Sequence, residues 1–369
     1  MKINFLIGSL ILRNNKTGVH LFYENLVRKF ILNNEYNIKI SVYETKKSLK
    51  KRYKNKIPFF QYLNFSFKLS RLLVYFLPVE IFFKRSDVYI CDGIIPWTFF
   101  KGYKVAVIHD LMVFKYPKNY SIIKKIYLKY YFWQVKYKAD FIIAVSETTK
   151  NDIIKYLGIK SEKIGIVYNG INRPLEVETI KNIKGYPLDV KYFFSIGECR
   201  PNKNFLTAIK GFAKYKEESK DEVFLYLAGN NDTKYGNYLK QYVKEVGLLD
   251  SVIFLGYISE IEKISLYKYA KVFIFVSEYE GFGVPIIEAM SYGVPVITTK
   301  SSSLSEIAKD AAILVEYNDE EAIKNALYDL NNNNKWNFYK EYGKKYCKRF
   351  SWDNAYRQFS NILRRLNNE

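Results

Sequence analysis

Short runs rich in Val, Ile and Phe alternate with longer segments of helical period along almost the whole chain. In the first half these runs predict six buried strands, at residues 2–8, 37–42, 87–91, 104–108, 140–145 and 164–168. The segments between them predict helices, near residues 19–33, 62–83, 120–137 and 147–156. Strands that alternate with helices in this way are typical of a doubly wound parallel sheet, an α/β architecture.

The second half of the chain repeats this alternation. Its apolar runs predict strands at residues 191–197, 223–228, 252–255, 271–277 and 312–315, with a further strand that ends at 299. The segments between them predict helices, near residues 205–218, 234–246, 259–269 and 285–293. We therefore expect a second parallel sheet, and the ligand of such a sheet binds beyond the carboxyl ends of its strands.

Residues 172–187 separate the two halves. They contain two prolines and show no clear apolar period, which is typical of an interdomain linker. We expect one domain over residues 1–172 and a second over residues 188–350. A final helix at about 352–369 is expected to pack back on the first domain. Two such domains that face one another would form one cleft.

Composition indicates a folded chain in a reducing compartment. Hydrophobic residues make up 49% of the 369 residues. The three cysteines, Cys91, Cys199 and Cys347, are widely spaced and form no metal-ligand pattern. The apolar N-terminus lacks a small-residue cleavage site, and no uncharged apolar stretch reaches about 18 residues. We therefore expect a cytoplasmic protein without a membrane-spanning helix.

Charge is distributed unevenly between the two halves. Residues 1–185 contain 33 Lys and Arg against 13 Asp and Glu, whereas residues 186–369 contain 25 against 24. Basic clusters at 46–56 and 118–138 favour an anionic membrane or a nucleic acid as partner, although lysine-rich surfaces are also an ordinary way to solvate a protein. In the second cluster the lysines are expected to point outward and the aromatic residues to lie mostly in the core. Those aromatic residues are Tyr127, Tyr130, Tyr131, Phe132 and Trp133.

A glycine-rich loop between a strand and a helix is the clearest candidate site. The loop at residues 278–283 contains two glycines, and the following helix is predicted to begin near Pro285. Backbone N–H groups stay uncovered there, at a helix N-terminus, and therefore suit an anion. Glu280 lies in the loop and Glu288 lies about one turn into the helix. Carboxylates beside N–H donors suit a ligand that is part phosphate and part polyol.

Several segments together resemble glycosyltransferase family 4, whose members are retaining enzymes of the GT-B fold. The segment EYEGFGVPIIEAMSYGVPVITT resembles the family signature, and the spacing Glu280-x7-Glu288 matches its paired glutamates. Other segments match in the family's order: KTGVHLFYENL, VIHDLMVFKYP, ADFIIAVSETTKNDI, IGIVYNGI, SIGECRPNKN and FSWDNAYRQF. The resemblance covers nearly the whole chain. It implies two Rossmann-like domains that face a central cleft, the first binding the acceptor and the second the donor.

The resemblance also implies which residues bind the donor. Glu280, together with the backbone of Phe282, Gly283 and Val284, would hold the hydroxyls of the donor sugar. Glu288 would accept hydrogen bonds from the ribose hydroxyls of the nucleotide. A hydrogen bond to a charged group is worth about 1.5–3 kcal/mol, which suits both roles.

Further matches concern the diphosphate and the acceptor side. Lys203 matches the lysine that contacts the diphosphate, and Arg200 is expected to share this contact. Many relatives place an arginine directly after the preceding glycine, where this chain has Glu198. His109 matches the family histidine near the acceptor side of the sugar, and it is, with Glu280, the predicted catalytic residue. Gly18 matches the glycine loop that approaches the diphosphate, where relatives often have two glycines.

The implied reaction is a retaining transfer of a hexose or deoxyhexose from a nucleotide-diphosphate sugar. No second carboxylate is placed for double displacement, and no Asp-x-Asp motif is present, so we expect no cofactor and no metal. The implied acceptor is a glycan or a polyprenyl-diphosphate-linked glycan, as in bacterial surface polysaccharide synthesis. The basic half would allow peripheral contact with the inner face of the cytoplasmic membrane.

Two other classes remain open at this point. The nearer is another nucleotide-sugar enzyme of the same fold, such as an epimerase or a sucrose-type synthase. The more distant is a nucleic-acid-binding protein, which the net charge of +21 would explain. Its basic clusters match no known reading motif, and the glutamates of the loop would repel a phosphate-rich strand, so no nucleic acid is expected.

Overall fold

A computed structural model describes residues 1–7, 18–42, 60–62, 77–172, 178–219 and 222–368. The basic cluster at 46–56 and most of the helix predicted at 62–83 lie outside these residues. The chain divides into two structural units. The first consists of residues 1–170 with 352–369, and the second of residues 171–351.

The first unit is built on a seven-stranded parallel sheet. Its strands are β1 Lys2–Ile7, β2 Asn37–Val42, β3 Phe60–Tyr62, β4 Val88–Cys91, β5 Tyr103–Ile108, β6 Phe141–Ala144 and β7 Ile164–Ile166. They lie in the order β3-β2-β1-β4-β5-β6-β7. The helices are α1 Gly18–Asn33, α2 Met112–Lys115, α3 Ile122–Lys138, α4 Glu147–Leu157 and α12 Trp352–Asn368. All residues of β4 are buried, as expected for a strand that is covered on both faces.

The last helix of the chain belongs to this first unit. α12 packs on α1, where Phe30 meets the rings of Tyr356 and Phe359 at centroid distances of 4.8 and 5.6 Å. Trp352, at the start of α12, contacts Phe22 at 6.1 Å. Edge-to-face aromatic pairs of this kind add about 0.5–1.5 kcal/mol beyond the area that they bury.

The second unit is built on a six-stranded parallel sheet. Its strands are β10 Tyr192–Ile196, β11 Phe224–Ala228, β12 Val252–Gly256, β13 Val272–Phe275, β14 Val296–Thr299 and β15 Ile313–Val315, in the order β12-β11-β10-β13-β14-β15. The helices are α5 Phe205–Ser219, α6 Lys234–Glu245, α7 Glu260–Tyr269, α8 Val284–Ser291, α9 Ser302–Ala308, α10 Glu320–Asp329 and α11 Asn333–Tyr346. The two parallel sheets confirm the expected pair of Rossmann-like folds.

The stretch predicted as a linker differs from the expectation. Its described part, from residue 178 onward, carries two short antiparallel strands, β8 Asn182–Ile183 and β9 Tyr186–Pro187. Ile183 is buried, and the Lys184 ammonium donates hydrogen bonds to the backbone carbonyls of Leu255 and Tyr257. The segment is therefore held against β12 of the second unit. Its contacts could not be predicted from the sequence, because the segment has no apolar period.

Cysteines and helix lengths give two further findings. Cys91, Cys199 and Cys347 are all buried thiols without a disulfide, and burial raises the pKa of the Cys199 thiol to about 11. Within the described residues, no helix combines the length and the apolar character needed to cross a membrane.

Candidate active site

The order of the second sheet reverses between β10 and β13, and the loops that follow these two strands meet there. Such a reversal opens a crevice at the carboxyl ends of the strands, where α/β sheets bind ligands. The loop after β10 forms a 3₁₀ turn over Pro201–Lys203, and the loop after β13 leads to α8. The Glu278 N–H donates a hydrogen bond of 2.8 Å to the carbonyl of Asn202, which ties the two loops together.

This tie brings Lys203 and Glu280 into contact. The Lys203 ammonium forms an ion pair and hydrogen bond with Glu280 Oε1, although the two residues are 77 positions apart in the chain. Only 21% of the Lys203 side chain and 15% of the Glu280 side chain are exposed. The ring of Phe275 lies below the ammonium, at 5.4 Å. Removal of either charge would leave the other charge largely buried without a partner. Because this is strongly unfavourable, the pair is held in place.

Two serines fix the backbone of Glu280. Its N–H donates to Ser302 Oγ at 2.9 Å, and its carbonyl accepts from Ser303 Oγ at 2.9 Å. Both serines lie in the first turn of α9. The sequence reasoning assigned no role to either serine, although the segment SSLSEIA, which contains both, also resembles the family signature. A second available signal was that a run of three serines begins two residues after the end of a buried strand.

Glu288 lies on α8, which begins at Val284, one residue before the predicted start. Gly283 caps the helix with a φ of 100°, and a Cβ there would lie 2.8 Å from Leu304 Cδ2, so the position requires glycine. One turn later, Glu288 Oε1 accepts from Lys263 Nζ at 3.1 Å and Oε2 accepts from the Tyr267 hydroxyl at 3.2 Å.

Lys263 and Tyr267 therefore orient the Glu288 carboxylate, and the sequence reasoning missed both. Burial works to lower the pKa of Lys263, but the carboxylates of Glu288 and Glu260 outweigh it and raise that pKa. Burial, reinforced by Glu288, raises the pKa of Tyr267 well above its usual range. Both side chains thus stay protonated, as donors to Glu288, at neutral pH.

The other predicted donor residues occupy different environments. The Arg200 guanidinium pairs with Glu198 at 2.8 Å and is about half exposed, and Glu198 is the residue that departs from the family pattern. The Phe282 ring is buried against Phe350 at 5.7 Å, so only its backbone is available to a ligand. Val284, the first residue of α8, contributes one of the N–H groups that have no acceptor within the helix.

Buried polar atoms line the same pair of loops. Asn202 Oδ1 and Ser277 Oγ are buried and have no hydrogen-bond partner within the part of the chain that the structure describes. Such atoms cost about 1–3 kcal/mol each and are characteristic of sites completed by water or ligand. Across the described ranges, no three His, Cys, Asp or Glu side chains gather as a metal ion would require.

His109 follows the end of β5 in the first unit. Its ring is half-buried and packs edge-on against Phe22 and Tyr23, at centroid distances of 5.1 and 5.9 Å. Nε2 has no hydrogen-bond partner among the described residues. Burial, with a smaller effect of the nearby His20, lowers the pKa of His109 from 6.5 to about 4. The imidazole is therefore neutral at pH 7, and the two histidines of the chain lie near each other.

The residues around His109 are mostly structural. Ser146 caps α4 by accepting from the Thr149 N–H at 3.0 Å, and Thr149 Oγ1 donates to the His109 carbonyl at 3.4 Å. Asp110 Oδ1 accepts from the Met112 N–H at 2.9 Å and so starts α2. Gly18 is the first residue of α1, and a Cβ there would meet nothing within 4 Å. Residues 16 and 17 of the predicted glycine loop lie outside the described ranges.

The imidazole of His109 predicts a pH dependence of stability. The pKa of His109 is about 6.5 in the unfolded chain and about 4 in the folded chain, so the unfolded chain takes up a proton first as the pH falls. The free energy of unfolding of the first unit should therefore fall by roughly 2 kcal/mol between pH 6.5 and 5, since one pKa unit corresponds to about 1.4 kcal/mol. Urea denaturation of the wild type and of His109→Gln over this range measures the difference. Equal slopes in the two proteins would contradict the assignment.

Comparison with known proteins is consistent with this geometry. The family model described as Glycosyl transferases group 1 matches residues 176–348, and that described as Glycosyltransferase Family 4 matches residues 53–173. The O-antigen chain mannosyltransferase RfbU of Salmonella typhimurium is 29% identical over 227 residues, which cover 62% of this chain and 60% of the relative. The O-antigen chain mannosyltransferase B of Escherichia coli is 28% identical over 269 residues, 71% of this chain and 70% of the relative.

A solved structure shares the fold over almost its full length. It is Anabaena Alr3699/HepE in complex with UDP and glucose, with a TM-score of 0.74 and 18% identity. The alignment covers 98% of this chain and 99% of that one. This match establishes the architecture of both units.

Proposed function

We propose, since the chain belongs to the glycosyltransferases of the family 4 type, that it moves a hexose or deoxyhexose from a nucleotide-diphosphate sugar to a glycan or lipid-linked glycan. The observation that carries this proposal is the site at the reversal point of the second sheet, where the Lys203–Glu280 ion pair precedes α8, the helix that carries Glu288. It offers one cation, two oriented carboxylates and a helix N-terminus. These are the groups that a diphosphate, a ribose and a sugar require.

In this proposal the two members of the Lys203–Glu280 pair bind different parts of the donor: Lys203 binds the diphosphate and Glu280 binds the sugar. The diphosphate would accept hydrogen bonds from the Lys203 ammonium, and the backbone of Phe282, Gly283 and Val284 would hold the sugar hydroxyls together with Glu280. The sugar hydroxyls would donate to Glu280, whose backbone is held still by two serine hydroxyls. A group that is fixed before the substrate binds contributes most to positioning it.

Glu288 is proposed to bind the ribose. Each of its oxygens already accepts one hydrogen bond, from Lys263 or from Tyr267, and each has a further lone pair. Two adjacent ribose hydroxyls can donate to those lone pairs. Lys263 and Tyr267 are thus positioning residues, which set the direction of the carboxylate without touching the reacting atoms.

The transfer itself would proceed with retention. The acceptor hydroxyl oxygen bonds to the anomeric carbon on the face that the diphosphate leaves, and the carbon–oxygen bond to the diphosphate breaks. The hydroxyl proton passes to the departing phosphate oxygen, so that the products are the glycoside and a nucleoside diphosphate. Lys203 would balance the charge that develops on the leaving group, a role worth roughly 10²–10³ in rate. We propose that no metal is needed.

His109 and Gly18 are proposed to bind substrate in the first unit. An imidazole whose pKa is lowered to about 4 is a weak base, which favours orientation of a sugar hydroxyl over proton abstraction. The relatives named above are mannosyltransferases of O-antigen chains, which supports synthesis of a surface polysaccharide. We therefore place the reaction at the inner face of the cytoplasmic membrane, on a polyprenyl-diphosphate-linked acceptor.

A thermal-shift panel tests the donor site. GDP, UDP and dTDP with their sugars should include one series that raises the melting temperature, since a ligand at about 100 times its Kd adds about 2.7 kcal/mol. The same ligand should give a sugar product on a lipid-linked acceptor, with and without EDTA. A panel without any stabilising nucleotide would overturn the proposal. A sugar product with inverted configuration, or activity lost in EDTA, would overturn its retaining and metal-independent parts.

A further inference from the structure

Apolar side chains form a stripe along the solvent side of α3. Five of them follow one another at intervals of four, four, three and four residues, which places them on one face of a helix. Ile122 is 71% exposed, Ile126 is 64% exposed and Tyr137 is 64% exposed. Tyr130 and Trp133 stack on each other between them, at 5.9 Å, and Trp133 contacts Tyr137 at 5.4 Å.

The opposite side of α3 provides the contacts to the core. Tyr131, Phe132 and Val135 are buried there, and the Tyr127 hydroxyl donates to the Gly93 carbonyl at 2.9 Å. The expectation that the aromatic residues of this segment lie mostly in the core holds for three of the five, since Tyr127 is partly buried against the core cluster that contains Tyr131 and Phe132. Tyr131 and Phe132 are buried, whereas Tyr130 and Trp133 are exposed because they fall on the outer face of the helical period.

The stripe continues onto a neighbouring segment. Trp97 is about half exposed, and Lys138 Nζ lies 4.1 Å from its ring centroid and 5.8 Å from that of Trp133. One ammonium thus bridges the two tryptophans. We call the combined surface the aromatic face. It consists of Ile122, Ile126, Tyr130, Trp133, Tyr137 and Trp97.

All charged residues of α3 are basic. α3 carries lysines at 124, 125, 129, 136 and 138 and no acidic residue. From residue 111 to residue 139 the sequence contains no Asp or Glu. Helices with one apolar and aromatic side and many lysines bind at the boundary between lipid headgroups and acyl chains, where Trp and Tyr rings are favoured. Anionic headgroups add the electrostatic attraction.

We propose that the aromatic face docks the first unit on an anionic lipid bilayer, with α3 lying in the plane of the headgroups. Isoleucine side chains favour lipid over nucleic acid as the partner, since bases stack on rings and gain nothing from an aliphatic side chain. The reason for such docking rests on the proposed function, because a lipid-linked acceptor is delivered by the bilayer. The docking itself does not depend on it.

Vesicle flotation with substituted proteins tests the proposal. The triple variant Ile122→Ser, Ile126→Ser, Trp133→Ser should bind phosphatidylcholine–phosphatidylglycerol vesicles at least tenfold more weakly than the wild type. The variant Lys124→Gln, Lys125→Gln, Lys129→Gln should lose binding in the same vesicles, and the wild type should lose it as salt is raised. A matched control is Tyr238→Ser, Tyr257→Ser, Phe338→Ser, which removes equally exposed rings from the second unit and should float normally.

The basic cluster at 46–56 is unchanged in every variant, so the comparison isolates the aromatic face. The melting temperature of each variant without ligand is also compared with that of the wild type, which separates a folding defect from a docking defect. Flotation of the first variant like the wild type would overturn the proposal. The proposal would also be overturned if the wild type did not bind anionic vesicles at low salt, or if it bound single-stranded RNA but no vesicle. A failed donor panel with intact flotation would count against the proposed function alone.

Discussion

Substitution of Glu280 by Gln should lower turnover by roughly 10²–10³-fold while it keeps or strengthens binding of the bare nucleoside diphosphate. In the absence of ligand, the Lys203 ammonium is engaged by the Glu280 carboxylate. The neutral amide of Gln has the same shape but forms no ion pair with the Lys203 ammonium. The diphosphate therefore no longer competes with a carboxylate for this ammonium. The sugar loses its charged acceptor at the same time. Lys203→Met should instead weaken both the nucleoside diphosphate and the donor, and lower turnover by a similar factor.

Steady-state kinetics and calorimetric titration of the nucleoside diphosphate measure these effects. The ion pair of Lys300 and Glu316 provides a matched control, because it joins the same residue types at 2.7 Å on the surface of the same unit. Both of its side chains are more than half exposed, so Lys300→Met and Glu316→Gln should leave kinetics and affinity unchanged. Near-normal turnover in Glu280→Gln and Lys203→Met together would show that the reaction takes place elsewhere.

Gly229→Ala should destabilise the second unit by roughly 3 kcal/mol or more and abolish donor binding. Gly229 directly follows β11 and has a φ of 116°, and a Cβ there would lie 2.0 Å from the carbonyl oxygen of Gly197. The obstacle is backbone, which cannot rotate away as a side chain can. Gly197 starts the loop that carries Lys203, so the alanine would displace the cation as well as strain the strand.

Gly247→Ala is the control for conformational strain alone. Its φ is 70°, but a Cβ there would meet nothing within 4 Å. Only the left-handed backbone opposes the alanine, at about 1–2 kcal/mol. Urea denaturation of both variants, with a donor titration of each, separates strain from collision. Equal losses of stability in the two would contradict the close approach of Gly229 to Gly197.

The sequence predicted most strands to within two residues, because buried parallel strands are short apolar runs between amphipathic helices. β10 was expected at 191–197 and spans Tyr192–Ile196, for example. β3 was not predicted. It has three residues, Phe60–Tyr62, at the edge of the first sheet, and three residues are too few to show a period of two.

The candidate site divides along similar lines. The sequence predicted three site residues because each lies in a segment that matches a known family motif: Glu280, Glu288 and Lys203. Lys263 and Ser302 were not predicted, because their contacts follow from which helix lies beside which strand end, and this depends on the sheet order rather than on the chain order. Arg200 shows the converse. Its segment matches a known sequence pattern and therefore predicts a contact to phosphate. In the structure, however, the Arg200 guanidinium forms an ion pair with the neighbouring Glu198 at 2.8 Å.

The placement of α12 has a consequence for how the protein is made. Phe22 contacts both Trp352 and His109, at 6.1 and 5.1 Å, so the ring that supports the histidine is covered by a helix that follows the whole second unit in the chain. The second unit, residues 171–351, is contiguous and can fold during synthesis. The first unit, although translated earlier, can complete its core only after residue 352 emerges. The nascent chain can thus complete the second unit, with the proposed donor site, before Trp352 covers the ring of Phe22.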